Sequence, residues 1–143
     1  MATDRHAEVT WNGSLMDGSG TIDSVGSGAF APLDVTWASR AEEPAGRTSP
    51  EELIAAAHAT CFSMALSHAL AEAGAPPEEL KTGATVTFEP GTGITKIALT
   101  VRGKVPGLDE QGFREAAEGA KADCPVSQAL ASVPEITLDA SLA

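Results

Sequence analysis

Residues 49–67, SPEELIAAAHATCFSMALS, begin with a helix-start signature and continue as an almost unbroken apolar run. The serine suits an N-cap, the proline suits the first helical position, and Glu52 can close a capping box with Ser49. From Leu53 to Ala71 the pattern is apolar on nearly every side of a helix, and Gly74 ends it. Such a helix is buried at the centre of a fold or crosses a membrane. Because its apolarity comes mostly from alanine and it carries two histidines, we expect a buried central helix.

The residues before this helix have strand-like composition separated by turn residues. Ala7–Trp11 and Thr21–Val25 flank Asn-Gly and Asp-Gly-Ser-Gly, which is typical of a hairpin. Val35–Ser39 predicts a third strand that ends at Arg40, followed by a polar loop to Thr48. The first third of the chain is therefore predicted to be a β-meander.

The residues after the helix predict a second sheet and two further helices. Apolar residues alternate over Ala84–Phe88 and Ile94–Val105, which indicates an antiparallel pair. Asp109 suits the N-cap of a helix, and a short helix begins at Pro125. Glu135–Leu142 alternates as a last strand. The order β-β-β-α-β-β-α-α-β predicts a single α+β domain over residues 1–143.

Charge and composition exclude several classes of partner. The chain has 143 residues, with 9 Lys or Arg and 20 Asp or Glu, and its formal net charge is −11. This acidic field repels phosphate backbones and anionic lipid, so we expect no nucleic-acid or membrane partner.

Aromatic residues make up only 4%, so the core has little volume per residue and a homodimer is expected to add buried surface. The first residues contain no apolar run, and we expect a cytoplasmic protein.

The two cysteines, Cys61 and Cys124, are 63 positions apart and belong to no C-x-x-C pair. At 100° per residue Cys61 shares a helical stripe with Ile54, Met64 and His68, so its thiol is expected to face packing and to be inert unless a cation lies nearby. Cys124 precedes Pro125 and is expected at an N-cap, where N–H groups favour a thiolate. The residues alone leave two alternatives open, buried small side chains or a working thiol pair.

Other chemistries find little support. The three histidines, His6, His58 and His68, have no short chelate spacing with each other or with the cysteines, so no metal site is expected. On their helix His58 and His68 are expected to be structural residues with satisfied hydrogen bonds. The chain has no phosphate-binding loop and no Gly-x-Ser-x-Gly elbow.

Three segments carry a resemblance to a known family: residues 49–67, residues 120–130 (AKADCPVSQAL) and residues 135–139 (EITLD). They resemble the osmotically inducible protein C family, which includes the organic hydroperoxide resistance proteins. The likeness runs from about Ala7 to Leu142. It is closest to the osmotically inducible branch, because Arg40 follows Val-Thr-Trp-Ala-Ser rather than lying in the first hairpin. The resemblance implies an intertwined homodimer, with antiparallel sheets around the central helix, that reduces organic hydroperoxides without metal or cofactor.

By position, the resemblance makes Cys61 the peroxide-attacking cysteine, Cys124 the resolving cysteine, Arg40 the activating arginine and Glu51 its carboxylate partner. Ala41 departs from the family, which often has an aromatic residue there. The resemblance also suggests a lipoyl-type dithiol as reductant. The alternative function is a non-enzymatic protein that binds small hydrophobic ligands, with both cysteines structural.

Two geometric expectations follow for this site. Glu51 and Cys61 are ten residues apart, about 15 Å along one helix, so either the helix breaks or Arg40 and Glu51 act on Cys61 of a second subunit. We expect the second arrangement. A substrate cavity is expected to be lined by apolar residues near Cys61, namely Ile54, Phe62, Met64 and Val126.

Overall fold

Ten helices and strands follow one another in the order β-β-β-α-α-β-β-α-α-β. The computed structural model describes every residue from Met1 to Ala143, and contacts divide the chain into two units, Met1–Leu53 and Ile54–Ala143. The α+β class with two small sheets and a long helix is confirmed. The single-domain boundary stays a prediction.

The first unit contains a three-stranded antiparallel sheet in the order β1-β2-β3. Its strands are β1 (Ala7–Asn12), β2 (Ser19–Val25) and β3 (Leu33–Val35). The turn after β1 passes through Gly13 at φ 89°, a left-handed conformation that glycine adopts without strain. The predicted meander is therefore confirmed in its strand order, but its third strand is not where it was predicted.

The predicted strand over Val35–Ser39 is wrong. The chain leaves β3 at Val35 and turns into a short helix, α1 (Trp37–Ala41). Thr36 caps this helix: its hydroxyl accepts from the Ser39 N–H at 3.0 Å, while the Ser39 hydroxyl accepts from the Thr36 N–H at 2.9 Å. These reciprocal side-chain bonds outweigh the strand preference of a Val-Thr-Trp sequence. Arg40 consequently lies on a helix.

The long helix α2 runs unbroken from Pro50 to Glu72, as its start signature predicted. The Ser49 hydroxyl accepts from the Glu52 N–H at 3.2 Å, whereas the Glu52 carboxylate accepts from the Thr48 hydroxyl at 2.9 Å. By length and composition alone α2 could also span a membrane. In this structure one of its faces is buried in the core of the second unit.

The second unit has a mixed three-stranded sheet in the order β4-β5-β6. The strands β4 (Glu79–Glu89) and β5 (Gly93–Lys104) pair antiparallel, and β6 (Glu135–Leu142) pairs parallel to β5. Between β5 and β6 lie α3 (Glu110–Asp123) and α4 (Pro125–Ala129). The Asp109 carboxylate accepts from the Gly112 N–H at 2.7 Å, which confirms it as the N-cap of α3.

A single hydrophobic cluster joins the elements of the second unit. It receives side chains from α2, β5, α3 and the junction between α3 and α4. Its fully buried members include Phe62, Leu66, Leu70, Ile97, Leu99, Val101, Phe113, Ala117 and Cys124. The cluster brings α2 beside the start of α4, and this positions the two cysteines.

Candidate active site

Cys61 lies half-buried at the border between the buried and exposed faces of α2. The buried row is His58, Phe62 and Leu66, all at 0% exposure, whereas Met64 is 69% exposed. The expectation that Met64 and His68 share a packed stripe with Cys61 is therefore wrong. An alanine-rich helix that is apolar on every side gives no periodic contrast from which its buried face could be chosen.

Cys124 is fully buried at the N-cap position of α4, with Pro125 as the first helical residue, as predicted. Both cysteines are free thiols, and each affects the pKa of the other. The structure thus brings together two cysteines that are 63 positions apart in the sequence.

The two thiols differ in their tendency to ionise. Burial raises the pKa of Cys61, the contact with Cys124 raises it further, and the backbone N–H of Val126 acts in the opposite direction. Burial also acts to raise the pKa of Cys124, but Cys61 and the N–H and hydroxyl groups of Ser127 outweigh it, so this pKa is lowered. The Ser127 groups at the start of α4 therefore favour the anionic form of Cys124.

His58 and Ser127 form a buried polar pair beside the cysteines that sequence analysis did not identify. The His58 Nε2 lies 2.7 Å from the Ser127 Oγ, while His58 Nδ1 is buried without a hydrogen-bond partner. Burial lowers the pKa of His58. The expected satisfied hydrogen bond therefore exists at one nitrogen only. The spacing Cys-Pro-x-Ser, which puts a hydroxyl in the first turn after Cys124, is the sequence feature that could have indicated the pair.

Arg40 and Glu51 form an ion pair in the first unit. The Arg40 Nε lies 2.9 and 3.2 Å from the two carboxylate oxygens of Glu51, and Nη2 lies 2.8 Å from Oε1. Glu51 is buried at 6% exposure in the first turn of α2. Two donors on one carboxylate fix the plane of the guanidinium, as a planar arginine fork allows.

Beside this pair the first unit has an apolar cavity of about 530 Å³. Arg40 is its charged lining residue, and the others include Val9, Trp11, Leu15, Ile22, Trp37 and Leu53. Of the residues expected to line a cavity near Cys61, Phe62 is fully buried in the core. Met64 lines a separate hollow with Ser63, Ser67 and His68. No group of three or more His, Cys, Asp or Glu side chains is arranged to hold a metal ion.

The amino-acid sequence is similar to a known protein family and to a known relative. The OsmC-like protein family model matches residues 43–139. The chain is 44% identical over 145 residues to Peroxiredoxin OsmC of Escherichia coli K12, with 99% of each protein covered.

Two solved structures share the fold. The OsmC-like protein from Mycoplasma pneumoniae has a TM-score of 0.74 at 17% identity, with 99% of each chain covered. The organic hydroperoxide resistance protein OhrB of Bacillus subtilis has a TM-score of 0.64 at 25% identity, with 96% of this chain and 98% of OhrB covered. The family indicated by the sequence motifs is therefore confirmed.

Proposed function

Because the chain belongs to the OsmC-like family and is a cysteine-based peroxidase, we propose that it reduces organic hydroperoxides to alcohols. In this proposal Cys61 attacks the peroxide and Cys124 resolves the oxidised product, while Arg40 and Glu51 activate Cys61. The observation that carries the proposal is that the two thiols lie close enough for each to shift the pKa of the other. A resolving thiol must reach the sulfur it captures, and the proximity of this pair in the reduced state supports that role.

Cys61 needs a cation to become the attacking group. A thiol with a pKa of about 8.5 is about 3% ionised at pH 7, and one with a pKa of about 6 is about 90% ionised. The groups within its own unit raise the pKa of Cys61. Arg40 is the candidate source of the missing charge, since its guanidinium is permanently cationic and Glu51 holds its plane.

We place Arg40 and Glu51 of the partner subunit opposite Cys61. The helix α2 has no break between Glu51 and Cys61, so ten residues separate them by about 15 Å along its axis. The continuous helix supports the arrangement across subunits over one in which a broken helix folds the two residues together. A homodimer with antiparallel, alanine-rich helices would bring one chain's ion pair to the other chain's thiol.

The reaction then has two steps. The Cys61 thiolate attacks one peroxide oxygen, the S–O bond forms as the O–O bond breaks, and the alkoxide takes a proton to leave as the alcohol. This leaves a sulfenic acid on Cys61. Arg40 stabilises the charge that develops on the departing oxygen. Cys124 condenses with the sulfenic acid to a disulfide and water, and an external dithiol of the lipoyl type reduces the disulfide.

An organic substrate is favoured by the apolar cavity that Arg40 borders. Alkyl or aryl tails gain from burial there, whereas hydrogen peroxide has no tail to bury. The same cavity supports the second candidate, a non-enzymatic protein that binds small hydrophobic ligands with both thiols structural.

The test is peroxide consumption by the wild type, Cys61→Ser and Cys124→Ser with dihydrolipoamide as reductant. We expect Cys61→Ser to lose consumption of cumene hydroperoxide by at least about a thousandfold, because the nucleophile is gone. Cys124→Ser should still consume about one equivalent but fail to form the intramolecular disulfide.

Consumption that survives in Cys61→Ser would eliminate this mechanism. Ligand binding without peroxide consumption in the wild type would instead support the binding protein. Hydrogen peroxide replaces cumene hydroperoxide in a parallel assay, and a higher kcat/KM for hydrogen peroxide would contradict the proposed substrate class.

A further inference from the structure

A continuous polar path leads from α2 to the resolving sulfur. The His58 Nε2 lies 2.7 Å from the Ser127 Oγ, and Ser127 is the third residue after Cys124 at the start of α4, where its side chain lowers the pKa of Cys124. Cys61 lies next along the path, since it also lowers the pKa of Cys124. His58 and Cys124 are at 0% exposure and Ser127 is at 8%, so protein groups rather than bulk water set the direction of each hydrogen.

The unpartnered nitrogen of His58 decides which way the hydrogens point. If Nδ1 carried the proton, a buried N–H would have no acceptor, and unpaired buried N–H groups are rare. With the proton on Nε2, only a bare nitrogen lone pair is unpaired, which costs less. His58 Nε2–H then donates to the Ser127 Oγ, and the Ser127 hydroxyl is left to donate to the Cys124 sulfur.

The resolving step benefits from this arrangement. The Cys124 sulfur bonds to the Cys61 sulfur as the S–O bond of the sulfenic acid breaks, so Cys124 is oxidised and Cys61 is reduced. The hydroxide that leaves combines with the proton released from Cys124 to give water. A donor held at Cys124 favours the thiolate that starts this step, and thiolate is the attacking species in disulfide formation.

We propose that His58 and Ser127 are positioning residues for the resolving step: His58 orients the Ser127 hydroxyl toward Cys124, and this speeds disulfide formation with the oxidised Cys61. This proposal rests on the proposed function but concerns its second step. The lowered pKa of Cys124 supports it. His58 stays neutral, because burial lowers its pKa and a protonated ring would leave Nδ1–H without an acceptor.

Of the other ionisable groups near Cys124, the Cys61 thiol also lowers its pKa, and the charged groups of α3 do not. From α2 it meets the Cys61 thiol, and the sheet contributes apolar side chains to the surrounding core. On α3, Asp123 is exposed and Lys121 pairs with Glu118 at 3.8 Å. None of these charges contributes to the shift in the pKa of Cys124. Arg40, proposed to act on Cys61, is unchanged in the variants below.

The experiment separates the two steps in a single turnover. Reduced protein is mixed with one equivalent of cumene hydroperoxide, and peroxide loss and disulfide formation are followed from pH 5.5 to 8.5 in Ser127→Ala, Ser127→Thr and wild type. We expect Ser127→Ala to consume peroxide at the wild-type rate but to form disulfide severalfold more slowly at pH 7, because a smaller fraction of Cys124 is ionised. The deficit should shrink as pH rises, and Ser127→Thr should restore the rate.

His58 is tested in parallel. His58→Phe, which has no donor, should slow disulfide formation severalfold, and His58→Gln, whose amide can donate to Ser127, should remain near wild type. Under excess peroxide the slow variants should accumulate sulfinic acid on Cys61, seen by mass spectrometry. Ser63→Ala is the matched control, because this α2 hydroxyl bonds to Thr82 and not to a cysteine.

Equal disulfide rates in Ser127→Ala and wild type at every pH would overturn the proposal. So would a slowing of both steps by the same factor, since that is a structural effect. A second readout does not require peroxide: ultraviolet titration of Cys124 in the Cys61→Ser background should show a higher pKa when Ser127→Ala is added. If the wild type consumes no peroxide, the proposed function fails, and an unshifted titration would refute the Ser127 interaction independently.

Discussion

At the scale of single residues, the buried imidazole of His58 links stability to pH. Burial lowers its pKa below the ordinary value of 6.5, so the unfolded chain binds a proton at this ring at a higher pH than the folded chain does. The group therefore contributes stability above pH 6.5, and this contribution is lost as pH falls toward the folded pKa. For one proton the slope is at most about 1.4 kcal/mol per pH unit.

We predict that the free energy of unfolding falls less between pH 7.5 and 5.5 in His58→Gln than in the wild type. Glutamine does not titrate but keeps a donor for Ser127, so the fold is preserved. Urea denaturation at several pH values measures the difference. His68→Gln is the matched control, because His68 is exposed on the same helix and should leave the wild-type slope unchanged. Parallel slopes for wild type and His58→Gln would rule out the linkage.

The sequence predicted four site residues but not their surroundings. Cys61 and Cys124 stand in motifs that can be recognised along the chain, and the structure brings these two together. It also brings Arg40 to Glu51. The pairing of Ser127 with His58 was not predicted, because neither residue stands in a local motif and only tertiary packing brings them together. A hydrogen bond between residues 69 positions apart depends on how α2 meets α4, and no local pattern encodes that.

At the scale of elements, two helix starts and two antiparallel strand pairs could be predicted, whereas the short helix α1 and the parallel pairing of β6 could not. Ser49 and Asp109 predict the starts of their helices, because a capping side chain bonds to the backbone N–H only three residues later. The helix α1 was missed because its cap is a Thr36–Ser39 pair inside a strand-like sequence. The parallel pairing of β6 with β5 was not predicted either, since parallel neighbours are joined by a long crossover and carry no turn signature.

The contact between β5 and α3 depends on a glycine. A Cβ at Gly103 would lie 2.6 Å from two ring atoms of Phe113, and Phe113 is fully buried and has no room to withdraw. We predict that Gly103→Ala lowers the free energy of unfolding by about 1–3 kcal/mol, the usual cost of overpacking a core. Denaturant titration measures the loss.

Gly119 provides the opposite case, and it lies on α3, the helix that carries Phe113. No atom lies within 4 Å of a Cβ built at this position, which is in the interior of α3. Gly119→Ala should therefore stabilise the protein by about 0.5–1 kcal/mol through helix propensity. If both alanines had the same effect, contact with Phe113 would not be the cause of the loss at Gly103.

At the scale of the whole molecule, the proposed mechanism requires two chains. Large apolar side chains are exposed in and after β1, with Val9 at 62%, Leu15 at 55% and Met16 at 67%. Exposed apolar residues grouped in one segment are typical of a surface that another chain covers. A partner chain in the proposed dimer is a candidate to cover them.

The division of the site between subunits can be tested by mixing two inactive variants. Cys61→Ser lacks the nucleophile but keeps Arg40, and Arg40→Ala lacks the cation but keeps Cys61. If Arg40 acts on the partner's Cys61, a mixed dimer has one intact site. Random exchange of equal amounts should then restore about a quarter of the wild-type sites, since half of the dimers are mixed and each has one working site of two.

If Arg40 instead acts within its own chain, every site in the mixture lacks one of the two groups, and co-refolding restores nothing. Mixing without subunit exchange is the control, because it should stay inactive under both arrangements. Glu51→Gln can replace Arg40→Ala in the same scheme, since the carboxylate that orients the guanidinium lies on the same chain as Arg40. Recovery of activity with both mixtures of variants would show that the ion pair and the thiol of one active site come from opposite subunits. Recovery with neither mixture would show that they come from the same chain.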